Sequence, residues 1–409
     1  MQDADLIPHL FRTEYSKITS VLCKLFGIEY IETAEDIVSD TFLQAAETWG
    51  LQGLPQNPTA WLYTVAKNKA KDFLKHQAVF NQKVSVELKK NETHEEEAEI
   101  DLSNTNITNS QLQMMFAVCH PSIPVESQVG LSLNILCGFG VNEIADAFLT
   151  NRDSIYKRLT RAKEKLRTEN IKMELPDKTE INCRLETVLT TLYLLFSEGY
   201  YSTSQNIILR KDLCIEAMRL TLMLADNEMT NTREVEALMS LMCFHSSRFE
   251  ARTNSQGEMV LYDDQDENLW NVELIEKGIM DLNLAYAGNK LSKYHLEAAI
   301  AYWHTNKTDT NEKWESILQL YNKLLHLEYS PMAALNRTYA LSKANSKKEA
   351  IAEAEKLHLD TNHLYHLLLA NLYDEIDSAK VKSHLTKAME LAMTETEKAS
   401  IEKRIALLL

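Results

Sequence analysis

Trp61 is followed by Asn68, Lys69, Lys71 and Lys75 in a stretch with no Gly or Pro. An indole beside amide and ammonium groups suits an opened nucleic-acid strand. The ring stacks on a base, the amide bonds a base edge, and the ammonium groups neutralise phosphates. The same residues also fit a core tryptophan on an ordinary basic helix. A second set, Arg152, Lys157, Arg158 and Arg161, lies off the apolar row Ile155, Leu159, Ala162 and Leu166. One helix would bury that row and present the cations. Residues 141–148 and the short turn Leu149, Thr150, Asn151 precede it, which predicts a helix-turn-helix with a basic reader for duplex DNA. A third set, Glu35, Asp36, Asp40 and Phe42, forms an acidic and apolar helix face suited to a basic protein partner. A solvated helix face explains it equally simply.

Other groupings point more weakly to chemistry. Cys119 and His120 are nucleophile and base types, but adjacent helical residues diverge by about 100° and make no dyad unaided. Asp263, Asp264, Asp266 and Glu267 suggest a cation loop, yet the sixth-position Gly and distal Glu of a calcium loop are missing. An acidic solvated turn is expected there. Tyr193, Phe196, Glu198, Tyr200 and Tyr201 suit a ligand pocket or, more simply, core packing. His295, Trp303 and His304 have no third ligand nearby in sequence, so packing is expected for them too. No catalytic or metal set assembles, and no cofactor is expected.

The elements that must position these residues are helices. Leu10, Tyr15, Ile18, Leu22 and Leu25 recur at helical spacing. Thr33 is a candidate cap for a second helix whose apolar face is Ile37, Val38, Thr41, Phe42 and Ala45. A loop at 50–58, with two Gly and two Pro, separates it from a third helix over 58–76. An aperiodic acidic stretch over 79–108 predicts a flexible linker. Helical pattern resumes over 109–170 and runs from about 175 almost to the end. Near the C-terminus Leu335/Leu369, Tyr339/Tyr373, Ile351/Leu385, Ala354/Ala388 and Leu357/Leu391 repeat at 34 residues, the tetratricopeptide period.

Composition agrees. The 409 residues include only 10 Gly and 7 Pro, far below the roughly 7% and 5% of ordinary proteins, which argues for an all-α chain. Six patternless cysteines predict reduced thiols. The start MQDADLIPHLFR lacks an apolar signal core, and the apolar run at 188–196 is too short to span a bilayer, so a cytoplasmic protein is expected. The net charge of −16 excludes an indiscriminate nucleic-acid coat. Two basic islands interrupt the acidic chain, +3 over 51–80 and +4 over 150–170, against −10 over 171–409. That distribution predicts two limited DNA contacts and acidic surfaces for something else.

In order, the acidic helix, NPTAWLYTVAKNKAKDFL, the linker and CHPSIPVESQVGLSLNILCGFGVNEIADAFLTNRDSIYKRLTRAKEKL resemble the group IV (extracytoplasmic-function) sigma factors of the sigma-70 family. RLETVLTTLYLLFSEGYYS, EAMRLTLMLADN, HLEAAIAYWHTN, SPMAALNRTYAL and TNHLYHLLLANL resemble the tetratricopeptide-like extension of one subgroup. The resemblance implies region 2 at 1–78, a linker at 79–108, region 4 at 109–172 and the extension at 173–409. It implies that Asp36, Asp40 and Phe42 bind core RNA polymerase at the β′ clamp helices, that region 4 meets the β flap, and that promoter DNA is the other partner. Trp61, Thr64, Asn68 and Lys71 match positions that open the −10 element. Tyr156, Lys157, Arg158 and Arg161 match positions that read the −35 element, with Arg152 beside them. Ser39, Thr64 and Tyr156 depart from commoner family residues. The expected protein is a non-enzymatic initiation factor without membrane contact. Its extension is expected to dock on region 2 or region 4 or to hold a regulatory partner. The competing reading is a helix-turn-helix regulator with a tetratricopeptide sensor that does not join polymerase. It needs neither the Trp61 helix nor the acidic helix.

Overall fold

The computed structural model describes residues 3–85, 100–148, 150–200, 210–254, 260, 262–288, 290–392 and 395–406. Leu149, Tyr201 and the linker residues 86–99 lie outside them. The protein is all-helical, with no strand among the described residues. It divides into two compact units, 1–194 and 195–409.

The first unit holds α1 (Asp3–Phe26), α2 (Ile31–Gln52), α3 (Pro58–Ser85), α4 (Asn104–Val118), α5 (Val125–Leu131), α6 (Val141–Ala147), α7 (Arg152–Thr168) and most of α8 (Ile181–Tyr200). Both modules expected at 1–78 and 109–172 therefore share one core. Helix α3 continues past the expected boundary at 78, and α4 begins before 109. Ile100 and Leu102, expected in a flexible linker, are buried. Residues 173–194, expected in the extension, belong here too. Arg184 donates to the Phe116 carbonyl at 2.7 Å and Thr191 to the Gln128 side chain at 2.8 Å.

Local chemistry sets the helix ends. Helix α2 begins at Ile31, two residues before the expected cap at Thr33, because Gly27 (φ 99°) turns the chain into a short 3-10 segment that runs straight into it. It stops at Gly53 (φ 82°), a conformation that costs other residues strain. Asn57 caps α3 through Ala60 N at 3.0 Å, and Pro58 supplies the preset φ of a first turn. Asn151 caps α7 by accepting from Ser154 N at 2.8 Å. Ile155, Leu159, Ala162 and Leu166 are all buried below it.

The second unit holds the end of α8, then α9 (Lys211–Ala225), α10 (Arg233–Ser246), α11 (Val272–Ala285), α12 (Lys293–Trp303), α13 (Asn311–Leu327), α14 (Pro331–Ala344), α15 (Lys347–Glu355), α16 (His363–Tyr373), α17 (Ser378–Leu391) and α18 (Glu395–Ala406). Gly278 lets α11 lie close on α10, since a Cβ there would sit 2.7 Å from the Phe244 ring. All members of the 34-residue pairs except Leu391 meet in one core. Leu335, Leu369, Tyr373, Leu385, Ala354 and Ala388 are buried together, with Tyr339, Ile351 and Leu357 packed against them. Serial helix pairs bury such faces against their neighbours.

Five of the six cysteines are buried and Cys183 is exposed; all six are free thiols. Burial pushes the Cys119 thiol up to about 11 and those of Cys214 and Cys243 up to about 12. Cys23 is raised further, by burial and then by the nearby Glu35 carboxylate.

Candidate nucleic-acid interface

On α3, Trp61, Thr64, Asn68 and Lys71 fall at i, i+3, i+7 and i+10, one stripe of a helix. Leu62, Ala66 and Ala70 are buried on the opposite side. Tyr63 donates to Glu14 at 2.6 Å and ties α3 to α1. Trp61 is half-buried, set edge-on against Trp49 with centroids 5.3 Å apart, so part of the indole stays accessible. Thr64 and Asn68 are exposed, and Lys71 is half-exposed. The Thr64 hydroxyl donates to the Ala60 carbonyl at 2.8 Å. A hydroxyl already spent on its own helix is a weaker reader than the amide of Asn68.

On α7 the cations line an open cleft of about 490 Å³ walled by Pro124, Ser127, Ser154, Lys157, Arg158, Arg161, Ala162 and Lys165. No carboxylate belongs to that wall. Arg152 and Tyr156 are exposed at the start of the helix, Tyr156 by 62%. Four cations and two hydroxyls facing one hollow suit the phosphates of a nucleic-acid backbone. Lys165 escaped the sequence reading although it sits four residues beyond Arg161. Pro124 and Ser127 come from the start of α5, and no local pattern announces that juxtaposition.

On α2, Asp36 and Asp40 are exposed, with Asp40 3.9 Å from Lys69. Phe42 is not on that surface. It is 5% exposed, with its ring centroid 5.0 Å from that of Phe11, so the apolar side chain expected to face a partner lies in the core. Its neighbour Leu43 is 59% exposed and is the apolar group on the outside. Glu35 accepts two hydrogen bonds from Lys163 of α7, at 2.6 and 2.8 Å, with both side chains only 14% exposed. Burial raises the Glu35 carboxyl against the opposing pull of Lys163. A second pair, Arg12 with Glu143 at 2.5 Å, joins α1 to α6, and the Arg12 guanidinium lies 4.0 Å from the Phe139 ring.

Residues 10–79 match the model of Sigma-70 region 2, which spans nearly all of α1 to α3. Residues 184–286 match a family of unknown function (DUF6596), running from α8 through α11. An uncharacterized protein of Rhizobium meliloti (strain 1021) is 30% identical over 380 residues, covering 92% of this chain and 90% of its own length. The chain belongs to that protein's family. Its Sigma-70 region 2 supports a sigma-70-family sigma factor with a role in transcription initiation, and implies RNA polymerase core and promoter DNA as partners. Sigma factors are a non-enzymatic class. No solved structure matches the chain. Among the described residues no helix of this family member is long and apolar enough to cross a membrane.

The remaining sequence candidates lie in packed positions or in an exposed acidic turn. The Cys119 thiol lies 3.8 Å from the Ser132 hydroxyl, while the His120 ring meets Ser122 at 2.8 Å, so the two do not face each other. Asp266 caps a short 3-10 turn through Asn268 N at 2.9 Å, and Asp263 and Asp264 are exposed. Phe196 and Tyr200 are buried and stacked, Tyr193 is half-buried, and burial raises the Glu198 carboxyl. His295 bonds Ser292 and the Ala285 carbonyl, which fixes the start of α12. No group of three or more metal-ligating side chains occurs among the described residues.

Proposed function

We propose that the chain is a group IV sigma factor with a tetratricopeptide-like C-terminal extension that regulates it. In this reading α2 presents Asp36 and Asp40, with Leu43 in the place expected of Phe42, to the β′ clamp helices. Trp61, Asn68 and Lys71 hold the opened −10 strand, with Thr64 contributing little. Helices α6 and α7 form a helix-turn-helix. Its Arg152, Tyr156, Lys157, Arg158 and Arg161 read the −35 duplex, with Lys165 added, and the same module meets the β flap. The protein works in the cytoplasm, binds no cofactor, and leaves the chemistry of RNA synthesis to the polymerase.

The observation that carries this reading is the carboxylate-free basic cleft on α7, in the same compact unit as the Sigma-70 region 2 helices. A chain of net charge −16 repels DNA at a distance. An unneutralised row of cations on one helix face still releases counterions locally and gives a salt-dependent grip. The regulator that does not join polymerase accounts for α7 but leaves Trp61 on α3 and the region 2 match without a use.

Purified core polymerase with this protein and genomic templates is expected to start transcription at a small promoter set, with permanganate-reactive thymines at the −10 position. Trp61→Ala should lose that reactivity while polymerase binding persists, since a lost stack costs about 1–3 kcal/mol per base. Duplex binding without any polymerase-dependent opening would hand the case to the regulator.

A further inference from the structure

Of the arginines in the second unit, Arg210, Arg219 and Arg337 each have a carboxylate within 4 Å. Arg233 donates to a backbone carbonyl and Arg404 to the Asn371 amide oxygen. Arg248 and Arg252 differ. The 3-10 turn Phe249–Ala251 sets them side by side on one tyrosine. Arg248 donates to the Tyr200 hydroxyl at 3.2 Å, and the Arg252 guanidinium lies 3.9 Å from the Tyr200 ring centroid. Arg248 also sits 5.4 Å from the Tyr262 ring. Both are half-buried. No carboxylate of the described residues comes within 4 Å of either.

Two nearby acids are already committed, while Asp263 and Glu267, whose charges also reach Tyr262, stay more than 4 Å from both guanidiniums. Asp212 takes Arg210 through two hydrogen bonds at 3.1 and 3.0 Å, and Glu250 takes Lys211 at 2.5 Å. Tyrosine faces soften the charge of a guanidinium, but they do not cancel two like charges held at one ring. Burial favours the neutral form of the imidazoles that share this niche. His245 lies 4.5 Å from Tyr200 and His304 5.2 Å from Tyr262. Burial disfavours their charged forms first, and Arg248 adds to that.

We propose that Arg248 and Arg252 bind a phosphate monoester, with the Tyr200 hydroxyl fixing the Arg248 fork. Paired guanidiniums give the planar donors that phosphate oxygens accept. Two guanidiniums with no carboxylate of the described residues within 4 Å match the −1.5 to −2 of such a group near pH 7. A single carboxylate would neutralise only half of them. The site lies wholly within the segment of unknown function and is independent of the sigma-factor reading.

The test is thermal unfolding and calorimetry of the full-length protein with inorganic phosphate, glycerol phosphate or a phosphoserine peptide, against chloride at equal ionic strength. Phosphate should raise the unfolding midpoint, and the Kd should rise at least tenfold in Arg248→Gln and in Arg252→Gln. Arg248→Lys and Arg252→Lys keep the charge for folding but lose the fork, and should bind in between. Tighter binding of glycerol phosphate identifies a small metabolite as the source, and tighter binding of the peptide a phosphorylated partner. If phosphate does no more than chloride on the wild-type protein, or if the Gln variants respond as it does, the proposal fails.

Discussion

On α7 the cations Lys157, Arg158, Arg161 and Lys165 share an open cleft with no acid in its wall, whereas several cations of the second unit are answered by its own carboxylates. Lys211 holds Glu250, Lys293 holds Glu328, Lys343 holds Asp309 and Lys347 holds Glu375. Net charge alone does not separate a DNA-binding surface from a structural one. On the proposed reading, what marks α7 is a row of cations to which the fold supplies no counter-ion. Even α7 divides this way. Lys163 and Arg167 are paired with Glu35 and Glu164, and they leave the cleft side as the part that awaits an external anion.

The units also differ in what they bury, and acid should break that difference first. His304 is pushed down to about 3 by burial and then by Arg248 and Lys313. His245 is held well below the ordinary range by burial and then by Arg248 and Arg252. An unfolded chain binds these protons near 6.5. Between about 3 and 6.5 the unfolded state therefore holds more protons. Stability is complete above that window and falls as pH drops through it. Across the whole window His304 alone accounts for roughly 5 kcal/mol. Hydrogen exchange at pH 4.5 compared with pH 7 should show α10 and α12 losing protection ahead of α1 and α4. Equal loss in both units would remove buried neutral histidine as a distinguishing feature.

The next largest effect is expected inside the first unit. Lys163→Met strands the buried Glu35 carboxylate and should cost about 3 kcal/mol in urea unfolding. The double variant Glu35→Gln, Lys163→Met should recover most of that loss. Arg167→Ala, which breaks an exposed pair, should cost under about 1 kcal/mol. A Lys163 variant as mild as the Arg167 variant would place the pair among surface bridges.

The smallest effect sharpens the charge comparison itself. Lys157→Ala, Arg158→Ala and Arg161→Ala together should weaken −35 duplex binding about a hundredfold near physiological salt and flatten the salt slope by roughly three. Lys211→Ala, Lys293→Ala and Lys343→Ala remove the same charge from the second unit and should leave the slope unchanged. Matching slopes for the two triples would mean that net charge, not an unpaired row, governs binding.

Much of this was readable from residue order. The inner row of α7 and the buried face of α2 follow from apolar spacing alone, because a helix on a core repeats every three to four residues. That spacing placed Phe42 inside, and the packing against Phe11 agrees. The reading of an acidic and apolar partner face, like the family resemblance, points the same ring outward. The 34-residue pairs likewise mark helix faces that share one core. The Glu35–Lys163 pair and the meeting of Arg248 and Arg252 on Tyr200 were not readable. Each depends on chain segments brought together only by packing, and polar residues carry no periodic signature of their partners.

The six thiols sort the chain by accessibility to a small electrophile. Cys183 stands open at the surface, and the other five wait behind packed helices. Cys23 lies under the Glu35–Lys163 pair, near enough for both charges to act on its thiol. Alkylation of a resting molecule thus begins at one place. Labelling of any other thiol therefore reports an opening of the helices that bury it.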